Sequence, residues 1–229
     1  MRATDDGILF TLFPKMGGRA PDDLGAPELE QLGRLLGRMH NMGARAKAEH
    51  RPELSPDTYG ADSLAIILER GQLGTSTARR YESAVRQVIA LAQERFRGIA
   101  TSLIHADFHR GNILSRGPGQ WLMLDFDDCA HGPAAQDFWL VLPGRPAECP
   151  RELEAMLRGY EQFRAFDHRS LVLIEALRAL RYVRYAGWIA KRWDDPSFQR
   201  AFPDWGTERY WEEQVADLHE QLRLIDSAA

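Results

Sequence analysis

His105, Asp107, Asn112 and Asp125 are the residues of this chain whose types and spacing could together do chemistry. Three of them fall in His105-Ala106-Asp107-Phe108-His109-Arg110-Gly111-Asn112, and the fourth follows a glycine-containing turn in Leu124-Asp125-Phe126. An aspartate carboxylate set beside a hydroxyl can orient it and accept its proton. An asparagine carbonyl and a second aspartate offer two hard oxygen donors. Magnesium favours such ligands and completes its shell with phosphates and water. Phosphoryl transfer asks a protein for alignment and charge neutralisation and for little covalent help. Asp107 is accordingly read as the catalytic carboxylate. Asn112 and Asp125 are read as the metal and nucleotide-phosphate ligands, Asp125 serving catalysis through the metal. Taken singly, each Asp or Asn is more often a turn former or a cap. Their joint spacing, with each polar group at the end of a short apolar run, favours the chemistry.

Such groups need a frame. Thr101 to Ile104 predicts a strand leading into the polar loop Ala106 to Gly111, and Asn112–Ser115 with Trp121–Phe126 predicts a hairpin closed by Arg116-Gly117-Pro118-Gly119-Gln120. The hairpin would carry Asn112 and Asp125 on facing strands. Before this insert, Leu29, Leu32, Leu36 and Met39 recur at helical spacing over about 27–45, with Pro27 suited to a first turn. Residues 46–60 read as a loop, 63–70 as a short helix, and a further helix starts near Thr75 to Thr77 and carries Tyr81, Val85, Val88 or Ile89, Ala92 and Phe96. After Gly132-Pro133 the pattern is helical, over roughly 134–142, 150–165, 169–193 and 207–226, with Asp167 and Thr207 as N-caps. Ile8 to Phe13 reads as a short β-segment stopped by Pro14. The fold class is α+β, predominantly α-helical, around one β insert at 101–128.

His-x-Asp-x4-Asn followed by an Asp-Phe pair is the spacing of a kinase catalytic loop and its metal-binding aspartate. The block Leu103 to Leu114, with Leu124-Asp125-Phe126-Asp127-Asp128, resembles the aminoglycoside phosphotransferase/choline kinase superfamily. Phe13-Pro14 with Gly17-Gly18-Arg19, Leu36 to His40, Gly132 to Trp139 and Leu177 to Arg181, continuing to Arg192-Trp193, resemble the bacterial stress response kinase A family of Ser/Thr protein kinases in particular. The resemblance covers nearly the whole chain. It implies Asp107 as catalytic base, Asn112 and Asp125 as Mg2+ ligands, ATP as phosphoryl donor and protein Ser/Thr as acceptor. It implies a protein-kinase-like C-terminal lobe over 19–229, with 1–18 a remnant of the last N-lobe strand and the hinge. On that strand Phe10 and Leu12 are expected to touch the nucleotide. His105, Asp127 and Asp137 are supporting residues; the Asp137 carboxylate either charges a helix N-terminus or bonds the backbone of the His105–Asp107 turn. One departure is Ala106, where the family usually has glycine, and its methyl restricts the backbone.

A second departure is the Gly-rich loop and strand lysine that kinase-like enzymes place over the phosphates. Nothing of that kind precedes Leu9; Lys15 follows the hinge, and Lys47 and Lys191 sit on or beside helices. The chain by itself is therefore expected to bind nucleotide weakly, and a non-catalytic binding module stands as one alternative. Another is a kinase of small molecules such as an aminoglycoside, choline or an amino alcohol, since the fold does not choose the acceptor. A third is a zinc hydrolase built on His105, Asp107 and His109, with Cys129 and His131 nearby. No further His/Cys cluster completes such a site.

The composition is that of an ordered globular protein, with 44% hydrophobic and 27% charged residues over 229 positions, so disorder is not the default. A net charge of -4 argues against nucleic-acid binding, which needs excess cationic charge. Cys129 and Cys149 form no disulfide framework, and Ile8 to Phe13 is too short to span a membrane. The chain reads as a cytoplasmic monomer. Arg178, Arg181 and Arg184 share a helix face, first read as solvated or ion-paired, with a docking surface for an acidic or phosphorylated peptide as the sharper reading. Trp139, Trp188, Trp193, Trp205 and Trp211 are expected to pack the helical lobe.

Overall fold

The fold is known from a computed structural model that describes residues 2–3, 7, 9–46 and 48–227. Ile8 and Lys47 lie outside the described residues, as do the side chains of Leu9 and Phe10. Three pairs of very short strands sit on a helical body. β1 (Arg2–Ala3) pairs antiparallel with β2 (Leu9–Phe10). The expected β-segment thus stops at Phe10. Leu12 and Phe13 stand out in solvent, and Pro14 follows.

Helix α1 (Ala26–Gly43) carries Pro27 in its first turn and buries Leu29, Leu32 and Leu36, as their spacing requires. It crosses α5 (Pro150–Glu161) at backbone contact. A methyl group on Gly33 would lie 2.0 Å from the Met156 carbonyl oxygen, and one on Gly159 would lie 1.9 Å from that of Glu30. Only glycine permits that approach. Residues 46–60, read as a loop, end differently. Ser55 and Thr58 form a reciprocal cap, each side-chain oxygen taking the other's backbone N–H at 3.2 Å, and a π-helical turn follows over Pro56–Ala61. It runs straight into α2 (Asp62–Arg70), and α3 (Thr75–Phe96) comes next.

The insert begins with β3 (Ser102–Ile104), continues through a 3-10 turn at Arg110–Asn112, and forms the hairpin β4 (Ile113–Ser115) and β5 (Trp121–Met123). β5 is three residues shorter than the expected Trp121–Phe126. Asp125 has φ +58, which no strand accommodates, although Leu124 still donates its N–H to the Asn112 carbonyl at 2.9 Å. A strand absent from the sequence reading, β6 (Ala130–Gly132), closes on β3 in antiparallel register. Its three residues carry no alternation that could mark them, and the partner strand defines them.

The remaining helices are α4 (Ala135–Trp139), α6 (Ile174–Lys191), α7 (Pro196–Ala201) and α8 (Glu208–Ser227), with a 3-10 segment at His168–Leu173. The expected start of α6 at 169 is this 3-10 segment, capped by Asp167, whose side chain accepts the Arg169 N–H. The short α7, capped by Asp195, was not foreseen. Thr207 caps α8 through Tyr210 N–H at 3.2 Å.

Two apolar cores share α6. One lies under the β insert and takes Leu173, Ile174 and Leu177; the other, between α2, α3 and α8, takes Ala179, Leu180, Val183, Ala186 and Ile189. Trp205 and Trp211 are buried in the second core, and Trp211 donates its indole N–H to the Gly71 carbonyl at 2.8 Å. With two faces of α6 buried, one stripe remains: Arg181, Arg184, Tyr185 and Trp188, at helical spacing, all on the wall of one cleft. Among the described residues no helix is long and apolar enough to cross a membrane.

Candidate active site

Burial and hydrogen bonding fix the loop that carries Asp107. The Asp137 carboxylate on α4 is fully buried. Its Oδ2 accepts the N–H of His105 and its Oδ1 that of Ala106, both at 2.8 Å. Gln136 completes the clamp by donating Nε2–H to the Ala106 carbonyl at 3.0 Å. An ionised carboxylate taken out of water needs such donors. His40, from α1, supplies a third: its Nε2 lies 2.9 Å from Asp137 Oδ2, and its Nδ1 lies 2.9 Å from the Tyr160 hydroxyl. Burial pushes the Tyr160 phenol up to about 12, so it keeps its proton and donates to His40 Nδ1. Donors therefore converge on the Asp137 carboxylate from two sides, Tyr160 through His40 on one and the His105 and Ala106 amides of the Asp107 loop on the other. Replacing Tyr160 with phenylalanine leaves a buried ring nitrogen without a partner and should cost about 1–3 kcal/mol, measurable by urea unfolding.

His105 has a structural task. Its Nε2 lies 2.8 Å from the Leu124 carbonyl and its Nδ1 faces the Asp107 N–H at 3.4 Å. The first contact needs a donor and the second an acceptor, so the ring is the neutral Nε2–H form. It ties the catalytic loop to the strand end that carries Asp125.

Ala106, between these anchors, has φ +66. That left-handed conformation suits glycine and strains alanine by about 1–2 kcal/mol. Ala106→Gly should relieve the strain at an entropic cost of about 0.5–1 kcal/mol. The expected result is a net gain of up to about 1 kcal/mol, seen as a melting temperature raised by roughly 2–4 °C.

The Asp107 carboxylate faces a cavity of about 300 Å3. Its Oδ2 accepts from Asn112 Nδ2 at 3.1 Å and lies 3.3 Å from His109 Nε2. Its Oδ1 accepts from Arg181 Nη2 at 2.6 Å. Asn112 Nδ2 also bonds the Asp107 carbonyl at 2.9 Å. That leaves the Asn112 amide oxygen as the group able to meet a cation. Asp125 is exposed, held beside Asn112 by the Leu124–Asn112 bond. Its positive φ turns the chain out of the strand at the very residue whose carboxylate the site would use. One amide oxygen, on the buried Asn112, and one carboxylate, on the exposed Asp125, are the hard oxygen donors that suit a magnesium ion sharing its shell with phosphates and water.

Not every expected residue joins this group. Leu12 is 91% exposed, and nothing among its described contacts links it to Asp107. The side chain of Phe10 lies outside the described residues. Further along the chain, Arg19 and Ser115 exchange backbone hydrogen bonds at 2.9 and 2.8 Å. Asp127 and Asp128 are exposed; the Asp127 carbonyl accepts from Arg51 at 2.6 Å, and Asp128 lines the cavity.

Zinc chemistry finds no support in these contacts. Both His105 nitrogens face backbone groups, His109 Nδ1 accepts the Gly111 N–H, and His131 Nε2 contacts the Ala48 carbonyl.

Arg181 lies on the face that the sequence reads as solvated or ion-paired, and it is ion-paired, with Asp107. Its two neighbours on that face also have definite partners. Arg178 stacks on Trp139 and lies near Glu175, and burial lowers its pKa; Arg184 stacks on Tyr59. The threefold arginine spacing was the signal. What it lacked was the position of Asp107, 74 residues earlier, across the cavity.

The model of the phosphotransferase enzyme family matches residues 1–174. Stress response kinase A of Escherichia coli (strain K12) is 36% identical over 221 residues, which cover 96% of this chain and 66% of that protein. The serine/threonine protein kinase RdoA of Salmonella typhimurium is 34% identical with the same coverage. The chain thus spans 66% of the length of these curated relatives. Among solved structures, an amicoumacin kinase in complex with AMP-PNP, Ca2+ and Ami superimposes with a TM-score of 0.62 at 19% identity, over 89% of this chain and 63% of that one. A spectinomycin phosphotransferase in complex with ADP and spectinomycin gives 0.59 at 17%, over 96% and 76%. These two share the fold.

Proposed function

The chain belongs to the phosphotransferase enzyme family, and from that premise we propose that it transfers the γ-phosphoryl group of ATP, with Mg2+, to serine or threonine hydroxyls of proteins. The observation that carries this reading is the Asp107 carboxylate, bonded by Asn112 and Arg181 and lining an open cavity, with Asp125 one residue past the Leu124–Asn112 backbone bond. Magnesium, when bound, neutralises charge on the donor phosphates.

Everything else falls to the protein. Asp107 orients the acceptor hydroxyl and takes its proton as the oxygen bonds to phosphorus and the bond to the departing ADP oxygen breaks. Asp107 Oδ1, whose one contact is to Arg181, keeps a lone pair for this. Asn112 holds Asp107 and offers its carbonyl oxygen to the metal, so base and metal are set by one side chain. The Ser/Thr acceptor is supported by the relatives named as kinases of stress response and of serine/threonine, and by the two arginines in the cavity wall.

The test is transfer of labelled γ-phosphate by the full-length gene product to a panel of proteins and, separately, of amino alcohols and aminoglycosides. Protein labelling that needs both Mg2+ and Asp107 is expected. Labelling confined to the small molecules would transfer the assignment to them, and calorimetry with Mg–ATP shows whether residues 1–229 bind the nucleotide alone.

A further inference from the structure

Beyond Asp107, the cavity wall on α6 follows a pattern that phosphoryl transfer does not use. Arg181 pairs with Asp107. One turn on, Arg184 lies with its guanidinium 5.4 Å from the centre of the Tyr59 ring. Just past the helix end, Arg192 sits 4.8 Å over Trp188, itself part of the wall. Among the described residues neither Arg184 nor Arg192 pairs with a carboxylate; both are held by aromatic faces. Arg192 Nη1 also donates to the Trp188 carbonyl at 3.4 Å, which leaves its other N–H groups, like those of Arg184, for a carboxylate or phosphate. Burial pushes the Tyr59 phenol up while Arg184 pulls it down, in keeping with this contact. Apart from Asp107, the wall holds one carboxylate, Asp128, on the turn that carries Asp125.

We infer that the stripe Arg184–Trp188–Arg192 selects acceptor segments with acidic side chains near the phosphorylated residue. The inference rests on the protein-kinase reading above and names the substrate class for it. Helix rise sets Arg184 about 4.5 Å and Arg192 about 16 Å beyond Arg181. An extended peptide lying along α6 with its hydroxyl at Asp107 advances about 3.3 Å per residue. The acids should therefore stand one or two residues and about five residues from the acceptor.

The test uses the full-length protein and synthetic serine peptides that carry Glu, Gln or Lys at those two places. The glutamate peptide should exceed the lysine peptide in kcat/KM by about ten- to hundredfold, the worth of one or two charge-assisted contacts. The preference should shrink as salt rises, because the arginines are open to solvent. The double substitution Arg184→Glu, Arg192→Glu should invert the order, and Arg184→Gln, Arg192→Gln, the milder change, should flatten it. Equal kcat/KM for the three peptides, or a preference untouched by either double variant, would overturn the inference while the kinase reading stands. If no peptide or protein is labelled in an Asp107-dependent way, the kinase reading itself fails and takes this inference with it.

Discussion

Replacing Asp107 with asparagine should lower phosphoryl transfer by about 10²- to 10⁴-fold, the usual worth of a positioned general base. Shape is retained, and the asparagine oxygen can still accept from Arg181. What disappears is the capacity to take the acceptor proton. Stability should fall by only about 1 kcal/mol, because the new NH2 group takes the Oδ2 position and loses the bond from Asn112 Nδ2. The Arg181–Asp107 pair is partly open to solvent on the arginine side, and pairs of that kind are worth at most about 1 kcal/mol. The measurements are kcat with a protein acceptor, Mg–ATP affinity by calorimetry and the melting temperature. A loss confined to kcat supports the assignment. A variant within about threefold of the parent would remove Asp107 from the reaction, since no general base is worth so little.

Asp137→Ala should act through a different quantity. Alanine removes both oxygens that hold the His105 and Ala106 amides and leaves His40 facing a void. Each orphaned buried donor costs about 1–3 kcal/mol, and breaking a buried charged network typically costs about 3–5 kcal/mol. For a chain of this size that corresponds to a melting temperature lower by roughly 6–20 °C. Transfer should fall as well, because the Asp107 turn loses its anchor. Asp137→Asn keeps the volume but turns an NH2 group toward one of the donors, so an intermediate loss is expected. Unchanged melting and unchanged turnover in the asparagine variant would show that the carboxylate supports nothing.

The sequence made the local half of this site legible and left the distant half unread. His105, Asp107 and Asn112 lie within one loop, so their spacing alone carries geometric information. Asp125 is tied to them by a hairpin whose turn residues are equally visible. Asp137 was read both as a helix charge and as a loop anchor, and its contacts are those of the second. His40 and Arg181 could not be read from spacing: one lies 97 residues before Asp137 and the other 74 after Asp107. Only the packing of α1 against α5, and of α6 across both cores, brings them in. The segments Leu36 to His40 and Leu177 to Arg181 had been noted for their family likeness without a physical reason, and these contacts provide one. Among the elements, amphipathic helices were found because their period is written in one stretch of chain. β6 and the shortened β5 depend on a partner strand and on one left-handed residue, neither of which periodicity records.

The π-helical turn at Pro56–Ala61 has a consequence for how such a protein can vary. Its defining bond, from the Asp62 N–H to the Asp57 carbonyl, spans one residue more than an α-helical bond. Tyr59, which carries the stacked Arg184, lies inside that widened turn. Excising one residue between Tyr59 and Asp62 would restore α geometry and swing Tyr59 by about 100° around the axis of α2. The catalytic loop would be untouched. A single-codon deletion would therefore rebuild the cavity wall around Arg184 in one step, a change that no point substitution at Tyr59 makes.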